Sequence, residues 1–286
     1  MKKFVSILAA AALCACTAVT AFADFNADRS ISVVSREDGS GTRGAFIELF
    51  GIEEKDAEGN KTDMTTQEAI VVNSTDVVLT TVAGDESAIG YVSLGSLNDT
   101  VKALKIDGVE ASTENIKAGT YTISRPFNIA TKGEPTGLAK DFIDFILSAE
   151  GQAVVSESYI TVNDEAAAYA GEKPEGKLVV AGSSSVSPVM EKLAEAYMAV
   201  NTGATIEIQT SDSTTGMQAA IDGTCDIGMA SRDLTENETA ELTPTVIALD
   251  GVAVVVNNAN PLEDATSEQI KSIFTGESTV WSDIIG

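Results

Sequence analysis

The chain has 286 residues, 44% of them hydrophobic, with 18 Lys and Arg set against 43 Asp and Glu for a formal charge of -25. That length accommodates one large or two modest domains, and the charge repels nucleic acid and anionic lipid headgroups, so a nucleic-acid partner is excluded. No histidine occurs anywhere, which removes Ser-His-Asp and Cys-His catalysis and histidine-ligated zinc.

In chain order, Lys2 and Lys3 precede the apolar run "FVSILAAAALCACTAVTAFA", which ends in Ala21-Phe22-Ala23. This pattern predicts a signal peptide over residues 1–23 with cleavage before Asp24, and hence export to the periplasm or the cell surface. A retained membrane anchor is the other reading of the run. "LCAC" also loosely resembles a lipobox acylated at Cys16, although the apolar run continues past it. Two of the three cysteines lie in this leader, so the mature chain holds Cys225 and no internal disulfide. Its setting, "TCDIGMA", reads as a buried strand with Cys225 as a small hydrophobe.

"SISVVS" (Ser30 to Ser35) reads as a buried strand, and Phe46, Leu49 and Phe50 fall at helical spacing from Thr42. Residues 51–67 are a polar excursion, and "AIGYVSLGSL" is a strand and turn. From Gly137, Leu138, Phe142, Phe145 and Ile146 form one face of an amphipathic helix. Residues 163–176, rich in Ala, Glu, Gly and Pro, read as a linker. "KLVVAG" is then a strand and "SSSVSP" a turn, with Ser187 as N-cap and Pro188 at the first helical position. "VMEKLAEAYMAV" and "MQAAIDG" read as helices, and "ATIEIQT", "CDIGMAS" and "VIALDGVAVVVN" as strands. The alternation predicts an α/β protein with largely parallel sheets.

Three times a strand ends in a short Ser/Thr/Gly loop and a helix begins at once: "DGSGT", "GSSSVSP" and "SDSTTG". Such loops lie at the carboxyl ends of parallel strands, where helix N-termini offer unpaired N–H groups and partial positive charge. Converging, they would form an anion site; separately, they are ordinary caps and turns. Gly39, Gly41 and Gly44 also match the G-x-G-x-x-G of dinucleotide sites. There, however, the glycines follow a strand directly and an acidic residue ends the next strand. Here Arg36-Glu37-Asp38 intervenes and the later region is the polar "EGNKTD", so a nucleotide-dependent enzyme is a remote alternative. An anion explains more of the residues. Gly39 and Gly41 turn amides inward, Ser40 and Thr42 add hydroxyls, and Arg36 offers a fork for an oxyanion. Asp38 either accepts the proton of hydrogen phosphate, rejecting sulfate, or caps the following helix.

"SREDGSGTR", "AGSSSVSPVMEKLAEAY", "CDIGMASRDL", "ALDGVAVVVNNANPL", "EQIKSIFTGE" and "RPFNIATKG" together resemble the phosphate-binding proteins of ABC importers. The resemblance implies a two-lobed type II periplasmic-binding-protein fold, the Venus-flytrap fold, with a mainly parallel sheet in each lobe. It implies closure on one inorganic phosphate and delivery to a membrane permease, with no enzymatic step and no cofactor or metal. By position it assigns Arg36, Asp38, Ser40, Gly41, Thr42, Ser184, Ser185 and Ser213 to phosphate, with Ser231 and Arg232 as further candidates. Arg232 stands where some relatives carry an aspartate that touches the ion. Another oxyanion, sulfate or molybdate, and a sensor uncoupled from transport are the neighbouring readings.

The order of the pieces departs from the family, which begins with the "GSSSVSP" unit and reaches "REDGSGTR" in its second half. A circular permutation accounts for this, with the usual ends joined through residues 163–176. A fragment of a tandem array is the rival account. Permutation predicts one lobe from residues 26–99 plus 256–286, carrying "REDGSGT", and a continuous lobe over 100–255, carrying the other two loops.

Overall fold

The computed structural model describes residues 25–56 and 61–285. The expected signal peptide and Cys16 lie outside them. Among the described residues no helix is long and apolar enough to cross a membrane.

One nine-stranded sheet organises the molecule. Its strands are β1 (Ser32–Arg36), β2 (Ile70–Val72), β3 (Ala88–Ser93), β4 (Val101–Ala103), β5 (Ser124–Thr131), β6 (Gly176–Ser183), β7 (Ala204–Ser211), β8 (Ile227–Ala230) and β9 (Thr243–Asn257). The order is β7-β6-β8-β5-β9-β3-β1-β2, with β4 also on β9. Each end is parallel: β7, β6 and β8 on one side, β3, β1 and β2 on the other. The middle is antiparallel, β8 with β5, β5 with β9, and β9 with β3. The expected parallel sheets are therefore halves of one mixed sheet. The reason is the 15-residue strand β9, which pairs with β5 over Thr243–Gly251 and then with β3 over Val252–Val256.

Helices follow the parallel strands and cover their faces. They include α1 (Gly41–Leu49), α2 (Thr75–Gly84), α3 (Gly137–Leu147), α4 (Ala149–Val155), α5 (Ser187–Val200), α6 (Ser213–Asp222), α7 (Glu236–Glu241) and α8 (Ser267–Thr275). All six residues of β3 are buried, as a strand covered on both faces requires. Phe142, Phe145 and Ile146, the expected stripe of α3, are buried as a row.

Apolar burial divides into two principal clusters. The first packs Val33, Phe46, Val78, Tyr91, Val254, Phe274 and Trp281, and the second Phe127, Phe142, Val180, Leu193, Tyr197 and Ile247. The chain passes between them at β5, from Ile123 to Phe127, and along β9, from Ala248 to Val252, and Ile160, which follows Tyr159 of the second cluster, also packs in the first. The boundary expected near residue 100 differs from this division. Val101, Leu104, Ile106, Ile116, Tyr121 and Ile123 belong to the first cluster, as do Val252–Val255. Hydrogen bonding explains it: β4 pairs with the far half of β9, and Lys105–Ile106 pairs with Asp264–Ala265. Cys225 is buried in a smaller satellite cluster, as expected, and burial pushes its thiol up.

The segment expected as a linker has neither strand nor helix until β6 begins, but it is strapped down. Tyr169 Oη donates to Asp141 Oδ2 at 2.5 Å and the Glu172 amide to Oδ1 at 2.9 Å. Tyr197 Oη reaches the same carboxylate at 2.7 Å. At the other end of the chain, Ile31 N donates to Thr279 O at 2.8 Å and Ser282 N to Ala27 O at 2.7 Å. Phe25 meets the buried Trp281 edge-on, so residues 25–31 and 279–285 lie side by side.

Candidate functional site

Strand β1 ends on Arg36, whose side chain is 2% exposed. A buried guanidinium needs its donors satisfied. Nε and Nη2 donate to Glu37 at 2.7 and 2.8 Å, Nη2 also to Ser184 Oγ at 3.0 Å, and Nη1 to Thr75 Oγ1 at 3.4 Å. The Arg36 amide donates to Tyr91 Oη, which also bonds Ser35 Oγ. Burial pushes that phenol up, so it remains a hydroxyl.

Gly39 turns the chain with φ +85°, in the left-handed region. Its carbonyl accepts from Thr214 N and Thr214 Oγ1, both at 3.1 Å, which ties the β1–α1 loop to the start of α6. Ser40 then caps α1, accepting from the Arg43 amide. Gly41 has a different reason to be glycine: a Cβ there would lie 2.5 Å from Ser213 Oγ and 2.8 Å from Ser231 Oγ. The α1 backbone thus presses against hydroxyls from the other half of the sheet.

Those hydroxyls form a continuous cluster. Thr42 Oγ1 bonds Ser185 Oγ at 2.8 Å, and Ser185 Oγ bonds Thr75 Oγ1 at 3.1 Å. Ser183 Oγ donates to Ser231 Oγ at 3.0 Å, and the Ser231 amide donates to Ser213 Oγ at 3.1 Å. Ser40, Thr42, Thr75, Ser183, Ser184, Ser185, Ser213 and Ser231 are all buried. The N-terminal ends of α1, α2 and α6 meet here with the turn before α5. Aligned amides, hydroxyls and one guanidinium make a nest for a small oxyanion.

Eight of the expected residues are therefore brought together: Arg36, Ser40, Gly41, Thr42, Ser184, Ser185, Ser213 and Ser231. Asp38 is not among them. Its side chain is 97% exposed and pairs with Arg43 Nη1 at 2.9 Å. The cap of α1 is Ser40 and not Asp38. Arg232 also stands outside the nest, gripping Glu238 through Nη1 and Nη2 at 2.7 and 2.8 Å and touching Thr214 Oγ1. A cavity of about 420 Å³ opens beyond it, between α1 and the Ser124–Pro126 strand start. Ser187 is not the cap of α5, which Val186 occupies; its hydroxyl donates to Ser183 O instead. Thr75, Glu37 and Ser183 were missed. For Thr75 the signal was present in "NSTDVV", a Ser capping a helix with Asp in its first turn.

Two core clusters joined by two crossing strands, with a buried polar nest drawing on both, define a two-lobed ligand-binding protein. The chain matches the PBP superfamily domain over residues 4–150 and 167–286. The phosphate-binding protein PstS 2 of Streptococcus agalactiae serotype V is 58% identical over 257 residues, covering 89% of this chain and 88% of its own. The crystal structure of a phosphate ABC transporter's phosphate-binding protein from Streptococcus pneumoniae TIGR4 superposes with a TM-score of 0.71 at 47% identity, over 90% of this chain and all of that one. The chain belongs to this family of phosphate-binding proteins within the PBP superfamily. The phosphate-binding protein PstS of Bacillus subtilis matches only 140 residues at 37% identity, 48% of this chain and 43% of its own.

Proposed function

We propose that this protein binds one inorganic phosphate ion in the nest, outside the cytoplasm, and hands it to the permease of an ABC importer. The observation that carries this reading is the joining of Arg36, Ser40, Gly41 and Thr42 with Ser184, Ser185, Ser213 and Ser231 across the two halves of the sheet. Fixed amide and hydroxyl donors suit a tetrahedral oxyanion, and the names of the relatives supply phosphate. The function is binding and release rather than catalysis.

The two lobes are centred on the two apolar clusters, and β5 and β9 serve as the hinge strands between them. The chain order is a circular permutation of the ordinary one. The neighbouring terminal segments support it, as does a half-length match to the Bacillus protein, because a collinear alignment must stop at a permuted junction. Export uses residues 1–23, with cleavage before Asp24. The mass of the mature chain recovered from the producing cell tests this, and an acylated Cys16 would replace it with a surface lipoprotein.

Calorimetric titration of phosphate-stripped residues 24–286 is the direct test of the ligand. One-to-one phosphate binding supports the reading. Silence toward phosphate with binding of sulfate or molybdate replaces it with the other oxyanion.

A further inference from the structure

We infer that Thr214 latches the two lobes together beside the nest, and that Arg232 positions the Thr214 hydroxyl for this contact rather than binding the ion. The inference rests on the phosphate reading above and names the residues that set how long the ion is held. Gly39 O, on the loop between β1 and α1, accepts from both the amide and the hydroxyl of Thr214, each at 3.1 Å. Thr214 stands on the other half of the sheet. It is the second residue of α6, whose Met217 and Ala220 are buried with Ala181 of β6 and Ala230 of β8. Its amide is one of the orphan donors at a helix start. Asp212 accepts from the next of them, the Thr215 amide, at 2.8 Å. The Thr214 amide goes instead to the opposite lobe.

The hydroxyl is aimed by its neighbour. Arg232 Nη2 donates to Thr214 Oγ1 at 3.1 Å, which leaves the hydroxyl proton for Gly39 O. Arg232 is fixed in turn. Its Nη1 and Nη2 donate to Glu238 at 2.7 and 2.8 Å, and Glu238 also accepts from the Thr235 amide at 2.8 Å. The pair Arg232–Glu238 is formally neutral, so Arg232 acts through the geometry of Thr214 and not as a free charge. Gly39 is shaped for the same contact. Its φ of +85° suits glycine, and a Cβ there would lie 2.6 Å from Asp212 Oδ1 and 3.3 Å from Thr214 Cβ. Thr214 is exposed, beside a cavity of about 270 Å³ that Gly39, Ser40, Arg43 and Arg232 also line. The buried hydroxyls of the nest take no part in the contact. A bond made only when the lobes are together slows their separation and leaves the first encounter with the ion unchanged.

Stopped-flow measurement of phosphate association and release compares the parent protein with Thr214→Val, Thr214→Ser and Arg232→Gln. Thr214→Val keeps the side-chain shape and loses the hydroxyl. It is expected to release phosphate about threefold to tenfold faster, the worth of one hydrogen bond. Its association rate is expected to stay within about twofold of the parent. Thr214→Ser keeps a hydroxyl and is expected to release slowly. Arg232→Gln is expected to behave as Thr214→Val does at both about 10 and 150 mM salt. An unchanged release rate in Thr214→Val overturns the latch, and so does fast release that persists in Thr214→Ser. Association that slows in Arg232→Gln, most strongly at low salt, overturns the positioning role, since a cation that draws or touches the ion gives that signature. Thr214→Val remains readable if stranding Glu238 unfolds the Arg232 variant. A parent that binds no phosphate overturns the functional reading on which the latch rests.

Discussion

Arg36 and Gly41 concentrate the residue-scale chemistry of this protein. Arg36 is the only cation bonded directly to the hydroxyls of the nest among the described residues, and its burial is tolerated because Glu37 takes two of its donors. Replacing it with Ala should weaken phosphate binding by at least about 3 kcal/mol, since a charged hydrogen bond is lost and Glu37 is left uncompensated beside the ion. Titration calorimetry reads this, and an affinity within a few-fold of the parent would place the ion elsewhere. Gly41→Ala tests the fit of the two halves. The added methyl would intrude on Ser213 and Ser231, both polar residues of the nest. Binding should therefore fall steeply while the unfolding midpoint in urea moves little.

At the scale of elements, the crossing strands β5 and β9 carry a buried ion pair, Arg125 Nη2 to Asp250 Oδ2 at 3.1 Å, with both side chains essentially unexposed. It lies where the chain passes from one apolar cluster to the other. Desolvation pushes the Asp250 carboxyl up and the Arg125 guanidinium down, so each charge depends on the other. Asp250→Ala should cost about 3–5 kcal/mol in urea unfolding, the usual penalty for stranding one buried charge. A loss below about 1 kcal/mol, the worth of an exposed pair, would show that water reaches Arg125. The strap over residues 163–176 is a second such device, since Asp141 holds Tyr169, Tyr197 and the Glu172 amide together. Sequence reading recognised the strap as a connection from its composition. It missed the anchoring because Asp141 lies on α3, some thirty positions earlier, among residues read as a packing stripe.

For the whole molecule, charge and pH are the controlling variables. A chain of formal charge -25 must draw an anion against its own field. Screening should therefore speed phosphate association as ionic strength rises from about 10 to 150 mM, the reverse of the usual steering effect. Stopped-flow fluorescence through Trp281 or an attached dye would read it; slower association in salt would mean that the local donors dominate at long range. Acid should destabilise the fold. Desolvation pushes the carboxyls of Asp63, Asp141 and Glu238 up, but hydrogen bonds outweigh it and hold all three below their ordinary range. Thr65 and Arg43 supply those bonds to Asp63, the two tyrosines to Asp141, and Arg232 and Thr235 to Glu238. A depressed folded value means that the unfolded chain binds protons first. The stabilisation is complete above the ordinary carboxylate range and disappears as pH falls from about 5 toward 2. Urea midpoints across that interval check the sign, and a midpoint that rose on acidification would contradict it.

The sequence alone determined what depends on local pattern. Strand and helix alternation pointed to an α/β protein and the Ser/Thr/Gly loops to strand ends where an anion can bind, while the resemblance to phosphate-binding proteins is what assigned Ser184, Ser185, Ser213 and Ser231 to the site. Tertiary structure decided everything that rests on distant partners. Arg36 meets Ser184 across 148 positions, and β4 joins the first apolar cluster through β9, so no window of sequence contains either fact. The different settings of Asp38 and Glu37 are the sharpest case. Both are acidic neighbours of Arg36, yet Glu37 is bonded to its guanidinium while the turn at Gly39 follows an Asp38 that faces solvent. Adjacent residues leaving a strand point in opposite directions, and only the placement of Arg43 and Ser184 determines which carboxylate stands beside the nest.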